Sequence, residues 1–383
     1  MSTPPRQIQV PKTLDVDAVE RALAELWQET ADGEQIETDE VVMRARAANL
    51  MVVVTSDAEL NETQQIIRDL AAIHPCRALV MLADRKSADR DIEMFVSASC
   101  QSQQHSTAAE LSCEEITLIA RGQFSSELPS AVVPLLVPDL PVFLWWQDLH
   151  RLDDDAFQPL SRAADRLVID SVDLAAMDLQ LDSIEQLFTR QRNESIAVSD
   201  INWARLTSWR ALLANFYDVQ EYRVALADLE RVRVDYGPPL GNANGIATQA
   251  LLIAGWLASR LDWRIESQTD EAEKTLFVAR RNDGGAVTLE LSRVARPEMR
   301  SGRLAKVELQ SALSNASFVV QRAENGLHLE TQATMEDRLC PGRTLPVRNR
   351  STAELLAREM EILARDRTYE AAVSVAGSLG NKE

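Results

Sequence analysis

Aromatic residues are scarce, 5% of a 383-residue chain, and lysine is scarcer, with five among 40 basic residues. The remaining cations are arginine. Its planar fork of donors suits carboxylates, phosphates and aromatic faces, which accords with an interaction surface and equally with a GC-rich genome. The four cysteines, Cys76, Cys100, Cys113 and Cys340, form no CxxC pair, so the spacing of a structural zinc site or a disulfide scaffold is missing. Cys76, Cys100 and Cys113 lie in or beside expected strands and read as small buried hydrophobes. No HExxH, G-x-S-x-G, G-x-G-x-x-G or Walker A loop occurs, which removes the common hydrolase, dinucleotide and nucleotide signatures. Residues 1–10 lack the apolar core of a signal peptide, so a cytoplasmic location is expected. Internal repeats and low-complexity tracts are absent too.

With 59 acidic against 40 basic residues the net charge is -19, a field that repels nucleic acid and anionic membrane. The stretch Leu128 to Trp146 is long and apolar enough to mimic a membrane span. Pro129, Pro134, Pro138, Pro141 and Asp139 would break such a helix. A helix through Val132 to Val137, a Pro-Asp-Leu-Pro corner and a buried strand Val142 to Trp145 fit better.

The pattern predicts two domains. In residues 1–172, a helix Asp15 to Gln28 and an acidic linker Glu29 to Glu40 precede strand Leu50 to Thr55, a helix from Asp57 to His74 and strand Arg77 to Leu82. Strands near Ile92 to Ser99, Glu115 to Ala120 and Leu167 to Asp170 complete an α/β domain with a mixed sheet. Residues 173–383 read as α+β. Helices Leu181 to Arg190 and Thr207 to Phe216 lead to a strand at Leu229 to Tyr236 and a helix Ala243 to Arg260. Short alternating stretches from Arg264 to Cys340, with Asn282-Asp283-Gly284-Gly285 and Glu324-Asn325-Gly326 as turns, predict an antiparallel meander. Two terminal helices follow, the first opened by Ser351 and Glu354 at capping-box spacing.

Titratable residues give little chemistry. His74 at a helix end reads as a cationic cap of the last carbonyls. Glu114 and Glu115, adjacent on a strand, point to opposite faces and cannot converge as an acid/base pair, so Glu114 is expected to be solvated or salt-bridged. Asp153 to Asp155 read as a helix cap and solvated loop. Gly237 to Gly245, between a strand and a helix, reads as a structural turn, with a phosphate cradle as the alternative.

The aromatics are more pointed. Trp145 and Trp146 face opposite ways on a strand, so at most one is buried by the same layer. With Trp203, Arg205, Trp209 and Arg210 they are candidate anchors for a protein partner, or else for a junction between domains.

Pro138 to Trp146, Cys113 to Leu118, Trp203 to Arg210 and Ala254 to Leu261 with Trp263 together resemble the glucose-6-phosphate dehydrogenase assembly protein family, OpcA. The resemblance runs from about Val41 to the C-terminal helices. Ser208 departs from it, standing where Pro is expected before the Trp. The resemblance implies a non-enzymatic role: binding glucose-6-phosphate dehydrogenase, promoting its active oligomer and raising its activity in the oxidative pentose phosphate pathway; no cofactor or metal is expected. The competing class is an enzyme or sugar-phosphate sensor using the Gly237 to Gly245 loop or a basic cleft at Arg343, Arg348 and Arg350.

Overall fold

A computed structural model describes residues 7–10, 16–33, 47–89, 91–101, 111–172, 174, 181–191, 196–295, 299–347 and 350–380. In chain order its elements are β1 (Gln7–Val10), α1 (Val16–Gly33), β2 (Ala48–Val54), α2 (Asp57–Ala71), β3 (Cys76–Asp84), β4 (Ile92–Gln101), β5 (Leu111–Arg121), α3 (Leu128–Val132), β6 (Val142–Trp146), α4 (Phe157–Ala163), β7 (Arg166–Ile169), α5 (Leu181–Gln191) and β8 (Ala197–Asp200). There follow α6 (Ile201–Arg205), α7 (Thr207–Asn215), α8 (Arg223–Ala227), β9 (Arg231–Tyr236), α9 (Thr248–Arg260), β10 (Arg264–Asp270), β11 (Lys274–Arg280), β12 (Ala286–Arg293), β13 (Leu304–Ser311), β14 (Ala316–Arg322), β15 (His328–Met335), β16 (Arg338–Cys340), β17 (Thr344–Pro346), α10 (Thr352–Met360) and α11 (Arg367–Gly380). They form two compact units: Met1–Ile169, Glu194–Ser199 and Arg350–Arg365 make the first, and Asp170–Asn193, Asp200–Asn349 and Asp366–Glu383 the second.

The first unit is built on a sheet of order β1-β4-β5-β3-β2-β6-β7-β8. Strands β5, β3, β2, β6 and β7 run parallel, and β4 and β1 extend the edge antiparallel. With β1 and β4 set aside, the strands β5-β3-β2-β6-β7-β8 follow the 3-2-1-4-5-6 order of doubly wound dinucleotide-binding sheets, β4 being inserted between the second and third. The reason β2 is central is visible in its residues: Ala-Asn-Leu-Met-Val-Val-Val is buried throughout, as a strand covered on both faces must be. Its one strongly polar side chain, Asn49, donates from Nδ2 to the Val137 carbonyl at 3.0 Å and accepts the Val137 N–H at 2.8 Å. That clamp holds the proline corner to the sheet. At the corner Asp139 takes φ +63, a left-handed conformation that Asp tolerates better than most residues. The expected helix Val132 to Val137 lies earlier, as α3 followed by a 3-10 turn through Leu135.

The acidic linker expected from Glu29 begins as helix, since α1 runs to Gly33; residues 34–46 lie outside the described residues. His74 differs from its expected role. Its Nδ1 is buried without a hydrogen-bond partner among the described residues, so that atom caps no carbonyl, and burial lowers its pKa.

The second unit carries a sheet of order β10-β11-β12-β9-β13-β14-β15-β16, with β17 beside β15. The single expected meander is interrupted. Strand β9 lies between β12, to which it is parallel, and β13, to which it is antiparallel, leaving one antiparallel run on each side. Alternation sets the faces: Val232, Val234, Phe277, Leu289, Leu291, Val307, Leu309, Phe318 and Val320 are buried. Between them point Arg231, Arg233, Glu290, Lys306 and Glu308, laced by Arg231 to Glu290 at 2.5 Å and Lys306 to Glu308 at 2.6 Å. Helix α9 begins at Thr248 rather than Ala243, after a turn in which the Gly245 N–H donates to Asn242. Its Gly255 is required by α11: a Cβ there would lie 2.3 Å from the Ala372 carbonyl oxygen. The capping box of Ser351 and Glu354 opens α10 as expected.

Candidate functional site

Ligands of a doubly wound sheet sit at the carboxyl ends of its strands, with phosphates on the turn from the first strand to its helix. Here that turn is Thr55-Ser56 between β2 and α2. Ser56 is the N-cap, and its hydroxyl accepts the Glu59 N–H at 3.3 Å. Glu59 reaches back: its Oε2 accepts the Thr55 backbone N–H at 2.8 Å, and the Thr55 hydroxyl donates to the same carboxylate at 3.0 Å. The capping is reciprocal, so a carboxylate already occupies the anion-attracting end of the helix. Asp57 adds a second, exposed carboxylate beside it, and no glycine lets a ligand approach the backbone. A pyrophosphate brought to this turn would meet two carboxylates and find the Thr55 and Glu59 N–H groups already engaged.

The neighbouring strand ends are similarly self-satisfied. Asp84, closing β3, accepts the N–H groups of Lys86 and Ser87 at 3.2 Å each. Arg85 pairs with Asp154 at 2.5 Å. Between the turns after β3 and β5 lies an open cleft of about 520 Å³ lined by Arg85, Ser87, Gly122, Gln123, Ser125 and Ser126. It offers hydrogen bonds without a nucleophile and base in mutual reach.

Both tryptophans of β6 are buried, Trp145 at 4% and Trp146 at 2% exposure. They sit between β2 and β7 in a sheet covered on both faces, which is how two neighbours pointing opposite ways are both enclosed. The Trp146 indole N–H donates to the Asp148 carbonyl at 2.8 Å, and its ring meets Phe157 of α4 edge-on at 5.0 Å. In the second unit, Trp203 donates to Asp366 at 2.9 Å, lies 5.5 Å from the Tyr369 ring and carries the Arg210 guanidinium 3.5 Å above its face. Trp209 is 3% exposed. Arg205 forks onto Asp170 at 2.6 and 2.8 Å. The indoles therefore serve the cores of their own units, and what the Trp203 to Arg210 segment shows outward is Thr207, Ser208 and the edges of Arg205 and Arg210.

The other residues singled out by sequence disperse. Glu114 is salt-bridged, not solvated: Arg77 donates to it from Nε at 2.9 Å and Nη2 at 2.8 Å, Trp27 donates at 3.0 Å, and Arg77 Nη1 reaches Glu20 at 2.7 Å. Glu115, on the opposite face, accepts from Gln64 at 2.6 Å and from Thr117, while burial pushes its pKa up. Cys76 is buried; the side chains of Cys100 and Cys113 lie outside the described residues. The Gly237 to Gly245 loop is a structural turn, its Gly237 N–H donating to the Arg303 carbonyl at 2.9 Å. Arg343 is exposed in the second unit, Arg350 belongs to the first, and Arg348 lies outside the described residues.

Sequence reading missed a buried polar knot around Asp200. Its carboxylate caps α6 through the Asn202 N–H at 2.8 Å and accepts the Ser171 hydroxyl at 2.5 Å and the Tyr369 hydroxyl at 3.0 Å, while Asn202 accepts from Gln249 at 2.9 Å. Burial, with Asp170 adding like charge, pushes the Asp200 pKa up to about 6 against those hydrogen bonds. The Asp200-Ile-Asn cap was the one local signal available. Among the described residues no three His, Cys, Asp or Glu side chains converge on a metal site, and no helix is long and apolar enough to cross a membrane.

The fold and its closed turn define an α/β protein with the strand order of dinucleotide-binding domains, whose phosphate seat is filled by its own side chains. Residues 67–186 match the N-terminal domain, and residues 196–373 the C-terminal domain, of the glucose-6-phosphate dehydrogenase subunit. The chain belongs to the glucose-6-phosphate dehydrogenase assembly protein family, OpcA. Relatives bearing the name OxPP cycle protein OpcA include one from Nostoc punctiforme, 32% identical over 208 residues (54% of this chain, 42% of the relative), and one from Synechococcus elongatus, 27% identical over 313 residues (80% and 68%). The matched stretch thus spans less than half the length of the Nostoc relative. Among solved structures, levoglucosan dehydrogenase with NADH has a TM-score of 0.48 at 12% identity, covering 86% of this chain and 94% of that one. The 3-ketoreductase KijD10 from Actinomadura kijaniata with NADP gives 0.48 at 11%, covering 86% and 95%. At these values neither likeness speaks to function.

Proposed function

We propose that this chain is a non-catalytic assembly factor and activator that binds glucose-6-phosphate dehydrogenase and stabilises its active oligomer in the oxidative pentose phosphate pathway, in the cytoplasm. Family membership supplies the partner. The observation that carries the non-catalytic reading is the Glu59 carboxylate bound by the Thr55 backbone N–H and hydroxyl, which lies in the turn a dinucleotide phosphate would use. Activation then needs no contact with substrate. A protein that binds the active oligomer more tightly than the inactive form shifts the population by the ratio of the two affinities.

Of the candidate anchors, the Trp203 to Arg210 segment of the second unit is proposed to present a contact surface, with Trp203 and Trp209 holding it from beneath and the edges of Arg205 and Arg210 facing the partner, whereas Trp145 and Trp146 lie enclosed in the sheet of the first unit. The chain alone is expected to bind neither NADP nor NADPH in fluorescence titration and to turn over no sugar phosphate. Mixed with the dehydrogenase, it is expected to co-elute in gel filtration. Tight NADP binding or turnover by a dehydrogenase-free sample would return the reading to the enzyme or sensor class.

A further inference from the structure

We propose that the open face of the second unit's sheet docks a second copy of this chain, the two sheets being related by a two-fold axis that runs along the strands between β9 and β13. The register of the ladder carries the argument. With Val232, Val234, Phe277, Val307 and Phe318 turned into the core, the alternate residues share the other face. Across β11, β12, β9, β13, β14 and β15, pairing places Lys274, Ser292, Asp235, Lys306, Gln321 and Glu330 in one row. Its charges run plus, none, minus, plus, none, minus, and from the other end every sign is reversed. The row is therefore its own complement. Turned over about an axis at its middle, Lys274 meets Glu330 and Lys306 meets Asp235, each pair twice. In the next row Arg233 and Glu308 are neighbours across the same axis and oppose each other likewise, while Glu290 faces Val319. In the third row Arg231 faces Gln310. No like charges meet.

The face also suits approach by a like-charged molecule. In these three rows the cations Lys274, Arg231, Arg233 and Lys306 equal the carboxylates Asp235, Glu290, Glu308 and Glu330, so the excess acid of a chain of charge -19 lies elsewhere. The charges are paired along the sheet before any docking: Arg231 and Arg233 with Glu290 at 2.5 and 3.7 Å, Arg233 with Asp235 at 2.8 Å and Lys306 with Glu308 at 2.6 Å. Removing water from such a network strands no lone charge. Stacked sheets keep their strands within about 30° of one another, and an axis along the strands provides that alignment. Six strands spaced about 4.8 Å apart and about 20 Å long give a plan of roughly 500 Å² before side-chain relief is counted. That is the order of the roughly 600–1,000 Å² each partner buries in a standard complex.

The test uses the full chain without the dehydrogenase, so its outcome is independent of the proposed function. Sedimentation velocity over a concentration series should show the mass of two chains forming by mass action. Lys274→Glu and Glu330→Lys, both at solvent-accessible positions, should each set like charges opposite one another twice per dimer and weaken association at least about tenfold. Mixed in equal amounts they should restore it, because both pairs at those positions in the mixed dimer are opposite in sign. Misfolded chains would show no such recovery. Lys306→Glu, nearer the axis, gives a further weakened variant. A chain that remains monomeric to about 100 μM, variants that associate as the parent does, or a mixture no tighter than its components overturns the proposal. Monomers throughout, with Lys274→Glu losing the dehydrogenase instead, would assign the face to that enzyme and overturn the second copy equally.

Discussion

Arg77 is a buried charge of the first unit with several partners. It is 2% exposed and divides its donors between Glu114, Glu20 and the Leu135 carbonyl. Removing one partner from a buried pair strands the other, so Arg77→Met should cost about 3–5 kcal/mol in denaturant unfolding. Replacing Glu114 by Leu as well should restore much of that loss, since the only carboxylate the double variant strips of Arg77, Glu20, is exposed to water. If the double variant is as unstable as the single one, packing rather than charge dominates there. This pair was invisible in sequence because its members lie 37 residues apart on adjacent strands, while Glu114 was flanked by nothing basic.

Asp200 gives a pH signature at the same scale. Its folded pKa of about 6 lies above the ordinary 3.8, so between those values the folded state holds a proton that the unfolded chain has released. Its contribution therefore falls as pH rises from about 4 to about 6 and is constant beyond. The stability difference between the parent and Asp200→Asn should shift against the parent by about 3 kcal/mol across that window. A pH-independent difference would mean that Asp200 titrates normally.

At the scale of elements, β2, α2 and β3 were legible because an apolar run, a Ser cap and a second apolar run follow one another in unbroken local order. The strand order was not, since which parallel strands become neighbours depends on crossovers. β9 was expected as a strand, but its place in the sheet was hidden for the same reason: its partners β12 and β13 lie 50 or more residues further along the chain. The paired tryptophans of β6 were seen, but their burial was not, because sequence alternation alone does not say that both faces of a sheet are covered. Trp146→Ala should accordingly lower stability by about 3–5 kcal/mol, with activation surviving in the folded fraction. Arg210→Ala should leave a folded protein whose activation of the dehydrogenase is reduced at least tenfold in affinity. Thermal melts and activation assays on the same samples separate the two. A stable Arg210→Ala that activates normally would move the contact surface elsewhere.

For the whole molecule, the proposed role rests on differential binding. An assembly factor raises activity only as far as it prefers the active oligomer, so assembly and activity must respond together. The chain's charge of -19 implies that encounter with the dehydrogenase depends on ionic strength in a way set by the partner's own charge. With the Thr55-Ser56 turn occupied by Glu59, nucleotide competition is expected to leave binding untouched.

The most direct measurement is a titration of purified glucose-6-phosphate dehydrogenase with this chain, recording initial rate and oligomer mass on the same samples. The account predicts a saturable rise in rate and a shift to the larger oligomer with a common midpoint. A complex that forms without changing either quantity, or a dehydrogenase whose rate and mass stay constant through stoichiometric excess, would contradict it.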